Sequence, residues 1–262
     1  MITRKRISPN CWAWWRKAIF EDADLIIVNK PAGLVVHPAA GNPDRTLVNA
    51  LLAHCGDSLL GIGGELRPGI VHRLDKGTSG LLVAAKSGRA HAHLAQQFAV
   101  HSIERAYDAL VWGLPKPRKG VISGQIGRSV ADRKKMTVRK AGGKYAETHY
   151  EIVETFGVIA AWVRCALMTG RTHQIRVHMT SRGNPLVGDQ TYGTGLAKFS
   201  KSLDQTAVAT IRSMSRQALH ARVLGFIHPS TGKKMRFEKE PPDDFVNLAQ
   251  ALRIATASRK KN

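Results

Sequence analysis

Apolar positions along the first third of the chain fall in short β-branched runs rather than in long stripes. Leu25–Val28 and Leu34–Val36 flank Lys30-Pro31-Ala32-Gly33, a spacing that reads as strand, turn, strand. Leu81–Ala85 predicts a further strand, and Ser87 sits where an N-cap belongs, ahead of Gly88–Val100. In that segment Leu94, Ala95 and Phe98 recur at helical spacing. Tyr107–Trp112, Val121–Ile126, His149–Val153 and Val158–Leu167 predict more strands. Thr172 opens a short helix that Gly183 closes, with Pro185 just beyond it. Strands outnumber helices and most are hairpin-spaced. The expectation is an α+β protein, a largely antiparallel mixed sheet flanked by helices and loops, without the βαβ alternation of a dinucleotide-binding fold.

Composition adds a partner. Hydrophobic residues make up 43% of the 262 positions, enough for a real core and too many for wholesale disorder. Forty Lys and Arg against nineteen Asp and Glu leave a net charge of +21, which calls for a polyanion: nucleic acid first, an anionic membrane surface second. No run of 18 apolar residues exists, and Arg16 and Lys17 interrupt the only apolar stretch near the N-terminus, so neither a membrane span nor a signal peptide is expected. Three widely spaced cysteines (Cys11, Cys55, Cys165) suit a reduced cytoplasm. No heptad pattern calls for obligate assembly, so a monomer is expected.

The charge is uneven. Residues 1–20 carry five basic side chains and no acid, and Arg253, Arg259, Lys260 and Lys261 crowd the end, so the expected organisation is a basic tail over 1–20, one catalytic domain over 21–248 and a second basic tail over 249–262. Between Lys116 and Ala146 ten basic residues face Asp132 alone. A solvated hairpin accounts for some of that, but like charges at this density repel each other, and phosphates that neutralise them account for it better.

The familiar catalytic devices are missing. There is no Gly-x-x-x-x-Gly-Lys-Ser/Thr loop, no Gly-x-Ser-x-Gly elbow, no Cys-x-x-Cys and no His-Glu-x-x-His. Gly61-Ile62-Gly63-Gly64 lacks the spacing of a dinucleotide fingerprint. His173 and His178 are five residues apart, about 140° around a helix, and His91 and His93 about 200°, so neither pair shares one ion easily. No metal is expected.

Two segments carry denser chemistry. Gly69-Ile70-Val71-His72-Arg73-Leu74-Asp75-Lys76-Gly77-Thr78-Ser79-Gly80 places one carboxylate among basic neighbours, followed by small residues that let a bulky ligand approach. Taken alone it is a surface turn in which Asp75 pairs with Arg73 or Lys76. Thr169-Gly170-Arg171-Thr172-His173-Gln174-Ile175-Arg176-Val177-His178 sets two arginines near a helix start, where backbone N–H groups already favour anions. Taken alone it is a basic surface helix.

Together the two segments resemble the RluA-type pseudouridine synthases. The matching pieces are His72-Arg73-Leu74-Asp75 with Thr78-Ser79-Gly80, Glu104-Arg105-Ala106-Tyr107-Asp108-Ala109-Leu110-Val111, and Gly170–His178. Pro185-Leu186-Val187-Gly188-Asp189-Gln190-Thr191-Tyr192-Gly193 and Arg216-Gln217-Ala218-Leu219-His220-Ala221 follow in order. The resemblance runs from about Asp22 to about Phe245. It implies an isomerase that needs no cofactor, metal or nucleotide and that converts uridine in ribosomal or transfer RNA to pseudouridine. By the same resemblance Asp75 is the essential catalytic residue, Tyr107 stacks on the uracil and assists proton removal, and Arg176 pairs with the aspartate. Arg73 helps to hold the target nucleotide out of the helix. His72 and Arg171 join the substrate contacts, and Leu219 or Leu186 forms the apolar wall of the uracil pocket. About twenty residues precede Glu21, fewer than the small N-terminal RNA-binding domain of many larger relatives, so substrate choice is expected to rest on the core, the Lys116–Lys144 stretch, the loop around Gly195–Ser215 and the tails.

The implied chemistry agrees with the residue inventory. Breaking N1–C1′ and forming C5–C1′ is an internal rearrangement that needs an anion near C1′. Asp75 can either attack C1′ or remove the 2′ proton, and the sequence accommodates both routes. The target base sits in folded RNA and must be flipped out, a task suited to an aromatic side chain. Two rival readings remain at this level: a catalytically idle RNA-binding or assembly factor on the same fold, and a hydrolase that uses Asp75 to release free uracil.

Overall fold

The computed structural model describes residues 18–257 apart from 40, 60, 61, 65, 66 and 194. Most of the expected N-terminal basic tail, and Arg259, Lys260 and Lys261, lie outside the described residues. The chain forms two compact units, one built from the residues up to Glu104 with Ala221–Lys239, the other from Arg105–His220 with the residues from Glu240 on. Among the described residues no helix is long and apolar enough to cross a membrane.

In the first unit β1 (Phe20–Glu21), β2 (Leu25–Lys30) and β3 (Ser79–Ala85) pair antiparallel, with Ile27 opposite Val83 and Lys30 opposite Gly80. β3 is buried on both faces, which is why it reads as an unbroken apolar run. Helix α1 (Leu47–Cys55) precedes it and α2 (Gly88–Ala99) follows it, with the Ser87 hydroxyl accepting from the Ala90 N–H as the sequence predicts. Leu94 and Ala90 of α2 join Leu25, Ile27, Leu81 and Val83 in one core. The strand expected over Leu34–Val36 does not form. Its carbonyls are spent on α1: Leu47 and Val48 donate their N–H groups to Val35 and Val36 (2.8 and 3.0 Å), satisfying helix donors that have no partner within the helix. Pro31, and Gly33 at φ +86°, turn the chain out of β2 and away from a ladder.

The second unit is an antiparallel set in the order β4 (Glu104–Trp112), β8 (Ala160–Leu167), β7 (Lys144–Phe156), β5 (Lys119–Arg128) and β6 (Met136–Arg139). On β7 buried Ala146, Thr148, Tyr150 and Ile152 alternate with more exposed neighbours, so one face is packed and the other open. Helix α3 (Gln174–Ser181) carries the second motif and stops before Gly183 at φ +79°. Helices α4 (Gly195–Phe199), α5 (Gln205–Ser213) and α6 (Asp243–Ala257) follow, so the segment around Gly195–Ser215 expected as a loop is largely helical, with Asp204 capping α5 through the Ala207 N–H (2.7 Å). Phe245, Leu248 and Leu252 of α6 pack with Leu110, Trp112, Phe156 and Val187. The boundary expected at 249 therefore falls inside a packed helix: Ala249, Leu252 and Ala255 are buried, and Arg253 pairs with Glu154 at 2.7 Å. β9 (Leu219–Ile227) begins in this unit and continues in the first, where it lies beside β3 and pairs with β10 (Lys234–Glu238).

Candidate active site

Asp75 stands half-exposed in the loop that leads into β3, and the loop is held from three directions. Leu74 is buried as an apolar anchor, and the Thr78 N–H closes a turn on the Asp75 carbonyl (3.0 Å). The Val83 N–H donates to His72 Nε2 (3.1 Å), which makes that nitrogen an acceptor, while the ring stacks on Phe98 with centroids 4.6 Å apart. The third tie comes from Lys30. Its side chain is fully buried, and Nζ donates to the carbonyls of Pro31 and Leu34 (both 2.9 Å) and of Lys76 (3.4 Å), next to Asp75. Gly33 adds an N–H to the same Lys76 carbonyl (2.8 Å). The Lys30-Pro31-Ala32-Gly33 turn thus fixes the loop that carries the carboxylate. Sequence reading placed the turn correctly and missed that role. Gly80 closes the segment at φ +115°, where a side chain would overlap the Ala221 backbone. Arg73 points to solvent.

In the second unit Tyr107 is buried on β4 opposite Cys165. Arg105 lies two residues before it, on the same face of the strand. The Arg105 guanidinium donates to the Leu167 carbonyl (3.3 Å) and lies over Gly170, where a Cβ would come within 2.8 Å of Nη1. Burial pulls this guanidinium below its ordinary range, with Tyr107 pulling the other way, so the tyrosine sits beside a fixed cation. The alternate side chain, Asp108, is fully buried and accepts from Arg164 (Nε to Oδ1 3.0 Å).

The second motif is organised by its glutamine. Gln174 Oε1 accepts from the Thr169 hydroxyl (2.7 Å) and the Arg171 N–H (2.9 Å), and its amide nitrogen donates to the Glu147 carbonyl and the Thr148 hydroxyl (both 2.9 Å). His173, at φ +57°, turns the chain into α3, and its Nδ1 meets the Tyr192 hydroxyl (2.9 Å). Arg176, on α3, is gripped bidentately by Asp189: Nε to Oδ2 is 2.7 Å and Nη2 to Oδ1 is 2.9 Å. Asp189 Oδ1 also accepts from the Thr191 and Tyr192 N–H groups (2.9 and 3.1 Å), and the Tyr192 ring lies 5.0 Å from the guanidinium carbon. A fork–fork pair of this kind fixes the plane of the guanidinium as well as its position. Arg171 is used differently. Its Nε donates to the Tyr145 carbonyl (2.8 Å), which places it at the backbone of β7 beside Tyr145.

Residues 24–181 match the family described as RNA pseudouridylate synthase. The chain is 52% identical over 238 residues to ribosomal large subunit pseudouridine synthase D of Zymomonas mobilis, covering 90% of this chain and 73% of that protein. The chain belongs to the RNA pseudouridylate synthase family. RNA pseudouridine synthase 2, chloroplastic, of Arabidopsis thaliana is 41% identical, across 90% of this chain and 64% of its own length. Among solved structures the human RNA pseudouridylate synthase domain containing 4 superposes with a TM-score of 0.70 at 26% identity, over 93% of this chain and 95% of that one. The chemistry is thus the isomerisation of uridine in RNA to pseudouridine, and the partner is RNA.

Within this synthase the two motifs lie in different units, Asp75, His72 and Arg73 in the first, Tyr107, Arg171 and Arg176 in the second. Leu219 and Leu186 are both buried in the second, Leu186 in a bridge to Val111. Leu219 offers its carbonyl to Arg216 (3.5 Å), whose Nε and Nη2 clasp Asp244 (both 2.7 Å). The sequence missed Asp189 as the partner of Arg176. The signal was present, since Pro185–Gly193 is one of the matching segments, but nothing in it says which side chain the aspartate meets. Among the described residues Glu21, His54 and Cys55 bring metal-capable atoms within 4.8 Å of one another. The carboxylate there already accepts from the Lys86 ammonium at 2.6 Å, so a cation occupies its charge, and the cluster is no part of either motif.

Proposed function

We propose that this synthase modifies uridine in large-subunit ribosomal RNA with Asp75 as its catalytic carboxylate. What carries the reading is the 52% identity to the Zymomonas mobilis protein, whose name gives that substrate, together with a loop built to hold Asp75 still. In the reaction the N1–C1′ bond breaks, the base turns, C5 bonds to C1′, the proton on C5 leaves to solvent and N1 takes one up, so atoms balance without any co-reactant. Asp75 acts at the sugar, either by bonding C1′ or by taking the 2′ proton and returning it. Tyr107 lies against the uracil and helps the C5 proton to leave, with Arg105 as its fixed positive neighbour. Arg176, held in plane by Asp189, is the positive charge that the family resemblance pairs with the reacting carboxylate. Arg73, His72 and Arg171 serve the RNA strand, with Leu219 at the base. A soluble, cytoplasmic monomer completes the reading.

The test is mapping. Ribosomal and transfer RNA from cells lacking the gene and from complemented cells are treated with carbodiimide and read by primer extension. Stops restored by the gene in large-subunit RNA support the substrate assignment. Stops restored only in transfer RNA overturn it while leaving the family chemistry in place.

A further inference from the structure

Among the large hydrophobic side chains exposed in the described residues, Tyr145 on β7 is the only aromatic, with 55% of its surface open. It lies within the Lys116–Ala146 stretch, where ten basic residues face one acid. Strand register puts Arg139 of β6, Gln125 of β5 and Tyr145 of β7 in one row, on one face of the sheet. The ring is oriented from below: its hydroxyl donates to Glu147, whose other oxygen meets His149 Nε2 at 2.7 Å. That hydrogen bond raises the phenol pKa, so the ring stays neutral, and the Glu147 charge is engaged on both oxygens. Arg171 completes the arrangement. One of its nitrogens is tied to the Tyr145 carbonyl, and the rest of its guanidinium makes no other hydrogen bond within the described residues.

An open aromatic face beside an available guanidinium matches one nucleotide: a base for the ring, a phosphate for the cation. We propose that Tyr145 is a stacking platform for an unpaired RNA base next to the target uridine, with Arg171 holding that nucleotide's phosphate. This rests on the RNA-modifying role and extends it to a residue that neither motif contains. A duplex cannot use the platform, because its bases stack on each other and show only edges. The tether to Glu147 holds the ring in place before RNA arrives, so little side-chain freedom is lost on binding.

The experiment measures anisotropy at fixed salt with two labelled probes, a single-stranded oligoadenylate of about ten nucleotides and an RNA duplex of similar length. Tyr145→Ala is expected to weaken the single strand about tenfold and the duplex less than about twofold, whereas Tyr145→Phe, which keeps the ring and gives up only its tether to Glu147, stays within about threefold of wild type. With ribosomal RNA as substrate, Tyr145→Ala raises KM and leaves kcat in place. An unchanged single-strand affinity in Tyr145→Ala overturns the proposal, and so does an equal loss on both probes, which would mark a general surface effect. Neither probe contains a target uridine, so these outcomes are separate from failure of the RNA-modifying reading, which shows as absent product.

Discussion

Replacing Asp189 by asparagine tests the Arg176 clamp at nearly constant shape. The Asp189 side chain is fully buried and that of Arg176 is 7% exposed. Three of the four donors converge on Oδ1, so the new amide keeps its oxygen there and turns its NH2 toward the Arg176 Nε–H at the former Oδ2. One charge-assisted hydrogen bond becomes a donor facing a donor, a loss of about 1.5–3 kcal/mol. The guanidinium also loses its carboxylate, and truncating one partner of a buried pair costs about 3–5 kcal/mol in all. Against a total stability of about 5–15 kcal/mol that is a large fraction. With a urea slope of about 2–3 kcal/mol/M the unfolding midpoint drops by roughly 1–2 M. Turnover of RNA, measured where the variant is still folded, falls up to about a hundredfold, because the guanidinium is no longer held in plane. A urea midpoint within about 0.3 M of wild type would refute the reasoning, since that difference is below what any lost buried ion pair produces.

Two further outcomes follow from buried groups. His178 on α3 is fully buried with Nδ1 against the Thr148 hydroxyl (2.9 Å) and, among the described residues, no hydrogen-bond partner for Nε2, and burial lowers its pKa from 6.5 to about 4. As pH falls the unfolded chain takes the proton first, so this group leaves stability untouched above pH 6.5 and removes it between 6.5 and about 4, by up to about 3 kcal/mol. His178→Phe should flatten that part of the stability-against-pH curve, and an unchanged slope contradicts the assignment. Gly80→Ala forces a side chain into the Ala221 backbone at φ +115° and should cost about 2–5 kcal/mol, whereas Gly88→Ala, with open space at the start of α2, should be neutral or slightly stabilising. Equal unfolding midpoints for the two variants would count against the close approach of β3 and β9.

Much of the scaffold was legible because its signals are local. The run Leu81–Ala85 has no polar position to hide, and the Ser87 cap needs only Ala90, three residues away. What failed depended on distant partners. Leu34–Val36 looks like a strand until its carbonyls are needed by Leu47 and Val48. The part of α6 from 249 on read as a tail because Arg259–Lys261 dominated the composition, although Ala249, Leu252 and Ala255 continued the helical spacing of Leu248. At the site the motifs named their residues, but the partners of Lys30 and Arg176 lie 46 and 13 positions along the chain, and pattern alone does not show which atoms meet.

The central claim is that Asp75 drives an isomerisation and not a hydrolysis. The most direct measurement follows tritium release from ribosomal RNA whose uridines carry the label at C5, with wild type beside Asp75→Asn, together with a check for free uracil. The account predicts release by wild type alone, no free uracil, and RNA binding retained by Asp75→Asn, since only the charge at the reacting carbon is lost. Free uracil, or release by Asp75→Asn at the wild-type rate, would contradict it.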